Sequence, residues 1–191
     1  MTTFFTSDHH FFHKNIIKYC GRPFEDVPHM NEELIYYWNN SITSKDKVYV
    51  IGDFSFGNPE QTKSVYDRLQ GEKILIRGNH DNNHTCDLFD EVHDSLTLPI
   101  GGNEVLLCHY PYKYEDKDVT NGYKVSNGHL WPTEPREASQ WLLHGHVHNM
   151  WLIMKDKRMI NVGVDVWNFQ PITESHINHI IDRHSPKTTG D

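Results

Sequence analysis

Long apolar runs are missing from this 191-residue chain. A membrane-spanning helix needs about 20 consecutive apolar residues, and no stretch of the sequence approaches that length. Residues 1–8 also lack a basic segment followed by a long apolar core. We therefore expect neither a membrane span nor a secretory signal peptide.

Cysteine is rare. The three copies, Cys20, Cys86 and Cys108, are widely spaced and contain no CxxC pair. Their odd number argues against a disulfide framework, and the missing pair argues against a thiolate zinc site. Such usage is typical of a reducing compartment, so we expect a cytoplasmic protein.

Positive charge is also scarce. The chain has 18 lysines and arginines against 26 acidic residues, which gives a formal net charge of −8. A broad basic face for duplex nucleic acid is therefore not expected, because such binding depends on neutralising many phosphates. A small phosphate-bearing substrate is still compatible with this charge, since a bound metal would supply local positive charge. The composition does not indicate an oligomeric state.

Apolar strand patterns alternate with helical patterns in the first half of the chain. This alternation predicts an α/β fold built on parallel strands. Ligands of open α/β sheets bind outside the carboxyl ends of the strands, so polar residues there are candidates for a site. The predicted strands are 2–7, 47–51 and 73–77, and the predicted helices are 14–20, 30–41 and 59–69.

The second half has a different pattern. Residues 92–98 and 104–109 are strand-like and are joined through Gly101 and Gly102, which predicts a hairpin. Residues 110–140 form a long aromatic-rich segment without a clear pattern, either a lid facing a substrate or a packed surface insertion. Further strands are predicted at 141–144, 151–155 and 159–162, with a helix at 174–182. We predict a single domain over 1–184 and a flexible tail over 185–191.

Histidine is abundant, with 15 copies, and polar side chains follow the predicted strands where each one ends. Asp8 and His10 are two residues apart, a spacing that directs both to one face of an extended chain. His146 and His148 repeat this spacing, and Asp53 follows a glycine that permits a close turn. The remaining residues of this kind are Asn79, His80, Asp81 and His109.

Leaving aside His80 and Asp81, this set contains two carboxylates, one amide oxygen and four imidazoles. Nitrogen and oxygen ligands without thiolate favour Mn, Fe, Co, Ni or Zn over Ca or Mg. Seven ligands are too many for one tetrahedral ion but fit two ions that share a carboxylate. Two such ions about 3.5–4 Å apart can polarise a phosphoryl group and activate a bridging hydroxide for in-line attack.

The order of these motifs resembles the calcineurin-like metallophosphoesterase superfamily over about residues 3–170. The chain is most similar in pattern to its small, compact bacterial or phage members. Less specific matches to that group include Arg22-Pro23-Phe24 and residues 161–167. The resemblance implies a sandwich of two facing mixed sheets flanked by helices, with a dinuclear metal site at the carboxyl ends of the strands.

The resemblance also implies a role for each polar residue. His80 would face the scissile phosphate and assist the leaving oxygen, and Asp81 would orient the ring of His80 through its other nitrogen. Asp53 would bridge the two ions. The first ion would be held by Asp8, His10 and His148, and the second by Asn79, His109 and His146.

Four residues are candidates for contact with the substrate. Arg22 has a guanidinium that can bind two phosphate oxygens at once, or it forms a salt bridge that locks its own loop. His13 follows the first polar cluster and reaches either the substrate or a metal-binding neighbour. Tyr112 and His129 lie in the 110–140 segment, where aromatic rings could stack on nucleotide bases.

These features predict a phosphoesterase with two divalent transition metal ions, of which Mn²⁺ is favoured. A phosphodiester of nucleotide or short-oligonucleotide type is the favoured substrate, because only Arg22 and His13 are candidates to bind the extra charge of a monoester. The alternatives are a phosphomonoesterase, a nuclease on longer DNA or RNA, and a non-catalytic scaffold of the same fold. The missing basic stripe argues against the nuclease, and the complete set of motifs argues against the scaffold.

Overall fold

The computed structural model describes residues 1–112 and 140–185. Within these residues, ten strands form two five-stranded sheets. The first sheet has the order β10-β1-β2-β3-β4, with β1 to β4 parallel and β10 antiparallel at the edge. Its strands are β1 (Thr3–Thr6), β2 (Lys47–Val50), β3 (Glu72–Ile76), β4 (Glu91–His93) and β10 (Ile172–Thr173).

The second sheet has the order β5-β6-β7-β9-β8. Its central strands β6, β7 and β9 run parallel, and both edge strands run antiparallel to their neighbours. The turn between β5 and β6 consists of Gly101 and Gly102, both at positive φ, as the hairpin prediction requires. The strands are β5 (Leu96–Ile100), β6 (Asn103–Leu107), β7 (Trp141–His144), β8 (Ile153–Met154) and β9 (Met159–Asn161).

Helices cover the outer face of the first sheet and one side of the interface between the sheets. Side chains that begin a helix accept hydrogen bonds from otherwise unpaired amides, as Asp26 does before α2 and Asn58, in a capping box, before α3. The helices are α1 (Lys14–Tyr19), α2 (Val27–Ser41), α3 (Pro59–Tyr66), α4 (Asn83–Cys86) and α5 (Glu174–His184).

The core has two main layers because alternate residues of each strand point to opposite faces. Phe4 and Val48 pack under the helices, whereas their neighbours Phe5 and Tyr49 pack between the sheets. Trp141 of the second sheet belongs to that same central layer, and α5 closes it with a row of isoleucines. The arrangement is the predicted sandwich of two mixed sheets flanked by helices.

One strand prediction is wrong. Residues 92–98 do not form a single strand, because β4 ends at His93 in the first sheet and β5 starts at Leu96 in the second. The chain therefore crosses between the sheets at 94–95. The predicted 110–140 insertion and the predicted tail fall almost entirely outside the described residues. None of the described helices has the length and apolar character required to cross a membrane.

Candidate active site

The loops that follow β1 and β2 lie side by side. The amide of Asp8 donates to the carbonyl of Gly52 (3.0 Å), and the amide of His10 donates to the carbonyl of Asp53 (3.1 Å). The parallel pairing of the two strands thus continues into their polar loops. This pairing fixes the two carboxylates and the imidazole relative to one another.

The loop after β3 is tied to the loop after β2 by two carboxylates. Asp81 accepts hydrogen bonds from the amides of Asp53 (2.8 Å), Phe54 (2.9 Å) and Gly78 (2.8 Å). In return, the carboxylate of Asp53 accepts a hydrogen bond from the amide of His80 (2.9 Å). Each loop therefore holds the backbone of the other.

The second sheet contributes the loops after β6 and β7. The amide of Gly145 donates to the carbonyl of His109 (3.0 Å). The amide of His146 donates to both carboxylate oxygens of Asp8, at 3.1 and 3.0 Å. The polar loops of the two sheets are thereby joined at one end of the sandwich.

Two glycines allow this close approach of the loops. A Cβ atom on Gly145 would overlap the hydroxyl of Ser7 and the carboxylate of Asp8. Gly52 has a φ of +84°, and a Cβ there would come within 2.7 Å of the Cα of Gly78. Side chains at either position would separate the loops, which explains the glycines that precede Asp53 and His146.

Left-handed backbone conformations are concentrated in these loops. Such a conformation costs a non-glycine residue about 1–2 kcal/mol, and surrounding structure must hold it in place. Strained residues of this kind cluster at functional sites. Positive φ angles occur at Asp8 (58°), His10 (52°), Asp53 (56°), His146 (70°) and His148 (50°), all of them predicted metal ligands.

One group of three candidate ligands comprises Asp8, His10 and His148, whose ligand atoms lie within 4.8 Å of one another. The Nε2 atom of His10 is buried and has no hydrogen-bond partner among the described residues. It lies 3.9 Å from Oδ1 of Asp8 and 3.5 Å from Oδ2 of Asp53. A buried imidazole nitrogen that faces two carboxylates without a partner fits a metal ligand.

A second group lies on the other side of Asp53. Oδ1 of Asn79 is 3.1 Å from Nε2 of His109 and 3.1 Å from Nδ1 of His146. Oδ2 of Asp53 is 3.4 Å from Nε2 of His109, and the ligand atoms of Asp8, Asp53 and His109 also lie within 4.8 Å of one another. Asp53 therefore contacts an imidazole of each group, as a carboxylate shared by two ions would.

The comparison with known proteins agrees with this geometry. Residues 1–175 match the calcineurin-like phosphoesterase superfamily domain. The chain belongs to the calcineurin-like phosphoesterase superfamily. An uncharacterized protein of Methanocaldococcus jannaschii is 34% identical over 184 residues, covering 93% of this chain and 89% of that protein.

Two further relatives extend the superfamily match. The Gene 66 protein of Mycobacterium phage L5 is 28% identical over 192 residues, covering 86% of this chain and 87% of its own length. A solved structure of a protein of unknown function from Aquifex aeolicus has 27% identity and a TM-score of 0.70. That match covers 94% of this chain and 98% of the Aquifex chain.

The pKa values of the candidate ligands are shifted by burial and by neighbouring charged groups. Burial would lower the pKa of His109, but Asp53 beside it raises that pKa to about 9. Burial opposes the ionisation of Asp53, yet the neighbouring imidazoles hold its pKa well below the usual range. Burial lowers the pKa of His10, and burial together with His109 lowers that of His146 to about 3. For His148, the hydrogen bond to Asp165 outweighs burial and raises the pKa to about 11.

His80 stands apart from both groups. Its side chain is exposed, and its ring lies 4.5 Å from the ring of Phe56 and 5.8 Å from that of His10, between centroids. Its imidazole forms no hydrogen bond within the described part of the chain. Asp81 is buried and its carboxylate is occupied by three amides. This corrects the expectation, taken from the superfamily, that Asp81 orients the ring of His80.

Two of the predicted substrate residues are also corrected. Arg22 is 5% exposed, and its guanidinium is paired with Asp165, so the salt-bridge alternative applies and the group does not face a phosphate. Tyr112 is 1% exposed and packs with Cys108 and Met159 on the outer face of the second sheet. A side chain enclosed there does not contact a substrate at the polar loops.

The other two candidates have different outcomes. His13 is half-buried, and its Nδ1 lies 3.1 Å from Nδ1 of His10. Its ring stacks on Phe56 with centroids 4.0 Å apart, so it borders a candidate ligand and the entrance to the site. Burial, followed by the charge of His10, lowers the pKa of His13 to about 4. His129 lies outside the described residues.

Sequence reasoning missed Phe56 and Asp165. Phe56 is 38% exposed and touches His80, although an isolated phenylalanine in a loop carries no sequence signal for such a contact. Asp165 lies within the 161–167 segment that resembles the superfamily, and this was the available signal. Its carboxylate is 3.1 Å from Nδ1 of His148. Cys20, His148 and Asp165 also place possible ligand atoms within 4.8 Å of one another.

Proposed function

We propose that this chain is a metal-dependent phosphoric ester hydrolase that prefers phosphodiesters of nucleotide or short-oligonucleotide type. The observation that carries the proposal is the pair of ligand groups that share Asp53, with the exposed imidazole of His80 beside them. Membership of the calcineurin-like phosphoesterase superfamily supports hydrolysis of a phosphoester.

The residues divide the work between binding and proton transfer. Two divalent ions, when bound, would supply Lewis-acid activation of the phosphoryl group and a water nucleophile at neutral pH. Asp53 and the surrounding ligands fix where the phosphoryl group is held. His80 is exposed and is not part of either ligand group, so it can give a proton to the leaving oxygen.

The ligand set also limits which metals fit. The seven candidate ligands offer nitrogen and oxygen only, which suits Mn²⁺, Fe, Co, Ni or Zn, and of these we propose Mn²⁺. We place the protein in the cytoplasm, where the free thiols of its three cysteines would stay reduced.

The preference for a diester rests on the charge near the site. A monoester carries an additional negative charge that a nearby cation would have to balance. Arg22, the best candidate, is already paired with Asp165. This pairing supports a substrate whose phosphate carries a single charge.

Paired substitutions test the division of roles. We expect Asp53→Asn to lose metal and activity together, because a shared carboxylate is removed from both groups. We expect His80→Ala to retain metal while its kcat on a poor leaving group falls by about 10²–10⁴. Metal analysis by mass spectrometry and steady-state kinetics measure the two effects. Full activity of His80→Ala on such a substrate would contradict the role of His80.

A substrate panel tests the diester preference. We expect kcat/KM with Mn²⁺ to be higher for bis-p-nitrophenyl phosphate than for p-nitrophenyl phosphate. A higher value for the monoester would make the protein a phosphomonoesterase. Hydrolysis of neither ester by the metal-loaded protein would favour the scaffold, whereas cleavage confined to long single strands would favour the nuclease.

A further inference from the structure

We propose that the buried Arg22–Asp165 ion pair positions the ligands of one metal ion, the ion held by the Asp8, His10 and His148 group. The pair would act on this first ion and not on the ion of the Asn79 and His109 group. This inference rests on the proposed two-metal centre and adds residues that touch the ligands without touching the metal.

The first contact orients an imidazole. Oδ2 of Asp165 lies 3.1 Å from Nδ1 of His148. Arg22 donates to both oxygens of Asp165, so the carboxylate is an acceptor and the imidazole of His148 donates to it. Nδ1 is thereby occupied and Nε2 is left to bind a metal. A carboxylate in this position commonly fixes the ring and tautomer of a metal-binding histidine.

The second set of contacts fixes the backbone. Nε and Nη2 of Arg22 donate to the two oxygens of Asp165, at 2.7 and 3.0 Å. Nη2 also donates to the carbonyl of Asp8 (2.7 Å), and Nη1 donates to the carbonyl of His9 (2.8 Å). These carbonyls belong to the segment in which Asp8 and His10 adopt positive φ. The guanidinium therefore supports a backbone conformation that is unfavourable by itself.

The neutral residue Asn161, from the same 161–167 segment as Asp165, also supports His148. Nδ2 of Asn161 donates to the carbonyls of His148 (2.7 Å) and Trp151 (2.8 Å). Its Oδ1 accepts from the amide of Gly163 (2.8 Å). Asn161 thus holds the main chain of His148, while Asp165 holds its ring.

The second ion has a separate support. Nδ1 of His109 lies 2.9 Å from the carbonyl of Ile51, at the end of β2. In the described residues, this histidine makes no hydrogen bond to Arg22 or Asp165. Disruption of the ion pair should therefore affect the two ions unequally.

A different role for Asp165 has to be separated from this one. Cys20, His148 and Asp165 could themselves hold a metal ion. Both oxygens of Asp165 already accept hydrogen bonds from Arg22, which disfavours that use. Cys20→Ser distinguishes the two roles, since it would remove the thiolate ligand from such a site and leave both the ion pair and a hydrogen-bonding group beside His148 intact.

The test measures Mn²⁺ binding to the Asp165→Asn variant. Equilibrium dialysis gives the number and affinity of the bound ions, and electron paramagnetic resonance shows whether they are coupled. An asparagine has one acceptor oxygen instead of two, so its NH₂ group would face either Nε of Arg22 or both Nη2 of Arg22 and Nδ1 of His148. We expect the native chain to bind two ions with a coupled spectrum. We expect the variant to bind one ion with little change and the other about tenfold or more weakly, with an uncoupled spectrum. Arg22→Lys should give the same loss in weaker form.

Matched controls separate positioning from folding. Asp46 is a buried carboxylate that accepts from Thr2 and Thr43, so Asp46→Asn removes similar hydrogen bonds far from the ligands and should bind two ions. Cys20→Ser should also bind two ions. Circular dichroism in the presence of a chelator establishes that each variant is folded, and Arg22→Lys replaces Asp165→Asn if the latter is not.

Four outcomes would overturn the inference. Equal weakening of both ions, or undiminished binding of two ions by both Arg22→Lys and Asp165→Asn, would show that the pair does not position the first ion. Loss of an ion in Cys20→Ser would make Asp165 a ligand instead. Absence of metal binding in the native chain would overturn the proposed function together with this inference, whereas the first three results leave that function intact.

Discussion

His80 is held in place by ring contacts. The carboxylate that follows it is turned inward to backbone amides, and the imidazole has Phe56 and His10 as its aromatic neighbours. Phe56 also stacks on His13, so it is supported from the other side. A proton donor must be held close to the geometry of its transition state, and here packing supplies that restraint.

Substitution of Phe56 should therefore reduce the rate without removing metal. We expect Phe56→Ala to lower kcat on a diester by about tenfold, because the ring of His80 gains freedom, while two Mn²⁺ ions remain bound. Phe56→Leu should restore part of the rate. The measurement is steady-state kinetics with metal analysis on the same samples.

The matched control for this change is Tyr36→Ala, which removes an exposed ring on α2 and should leave kcat unchanged. If Phe56→Ala reduced kcat and also lost metal, Phe56 would act on the ligand His10 and not on His80.

The sequence predicts which residues carry the chemistry better than it predicts their partners. Spacings of two residues and a preceding glycine are visible in the chain, and Asp8, His10 and Asp53 do lie close together. Their backbone is left-handed and not extended as the spacing argument assumes. The partner of Arg22 lies 143 positions away, and the partners of Asp81 are main-chain amides. Neither kind of contact leaves a local pattern.

At the scale of elements, the close packing of loops limits what each can tolerate. The sequence predicts one strand over 92–98 because no glycine or proline marks the crossing between the sheets, where the weaker turn residues Asp94 and Ser95 lie. The loop after β7 does contain a glycine, at a point of close contact between the sheets. Gly145 lies against Ser7 and Asp8, on the opposite sheet.

We predict that Gly145→Ala separates these two loops. The added methyl group would overlap Oδ2 of Asp8, so the carboxylate and its bonds to the amide of His146 must shift. Mn²⁺ affinity should fall by about tenfold or more, a size that disturbed metal-site neighbours typically produce. Equilibrium dialysis measures it.

Gly102→Ala is the control for this substitution. Its φ of +82° makes an alanine strained, but no atom lies within 4 Å of the added group. It should lower thermal stability and leave metal affinity intact. Equal metal affinity in Gly145→Ala and the native chain would refute the steric argument.

At the scale of the whole molecule, the candidate ligands are divided between the sheets. Asp8, Asp53 and Asn79 follow strands of the first sheet, whereas His109, His146 and His148 follow strands of the second. Every ion bound here would join the two sheets. Metal binding, protonation and folding stability are consequently linked, because the same imidazoles bind the metal, take up protons and connect the two sheets.

This linkage predicts a pH dependence of metal binding. The carboxylates around His109 and His148 raise their pKa values to about 9 and about 11, so both imidazoles carry a proton at pH 7. Both rings are therefore imidazolium cations, and a metal must displace the extra proton from each. We expect Mn²⁺ affinity to increase from pH 6 to pH 9, with release of about two protons at pH 7. Calorimetric titration in two buffers with different ionisation enthalpies measures the number.

The folding stability of the chelator-treated protein should decrease as the pH rises, whereas its metal affinity increases. The pKa of His109 is raised from 6.5 to about 9 by Asp53, so this pairing stabilises the fold fully below pH 6.5 and is lost as the pH rises through about 9. Thermal unfolding with and without Mn²⁺ at both ends of that range separates the two effects.

His80→Ala is the control for the proton release. It should release as many protons on Mn²⁺ binding as the native chain, because His80 belongs to neither ligand group. Metal affinity that decreases with pH would contradict the assignment of these histidines as ligands.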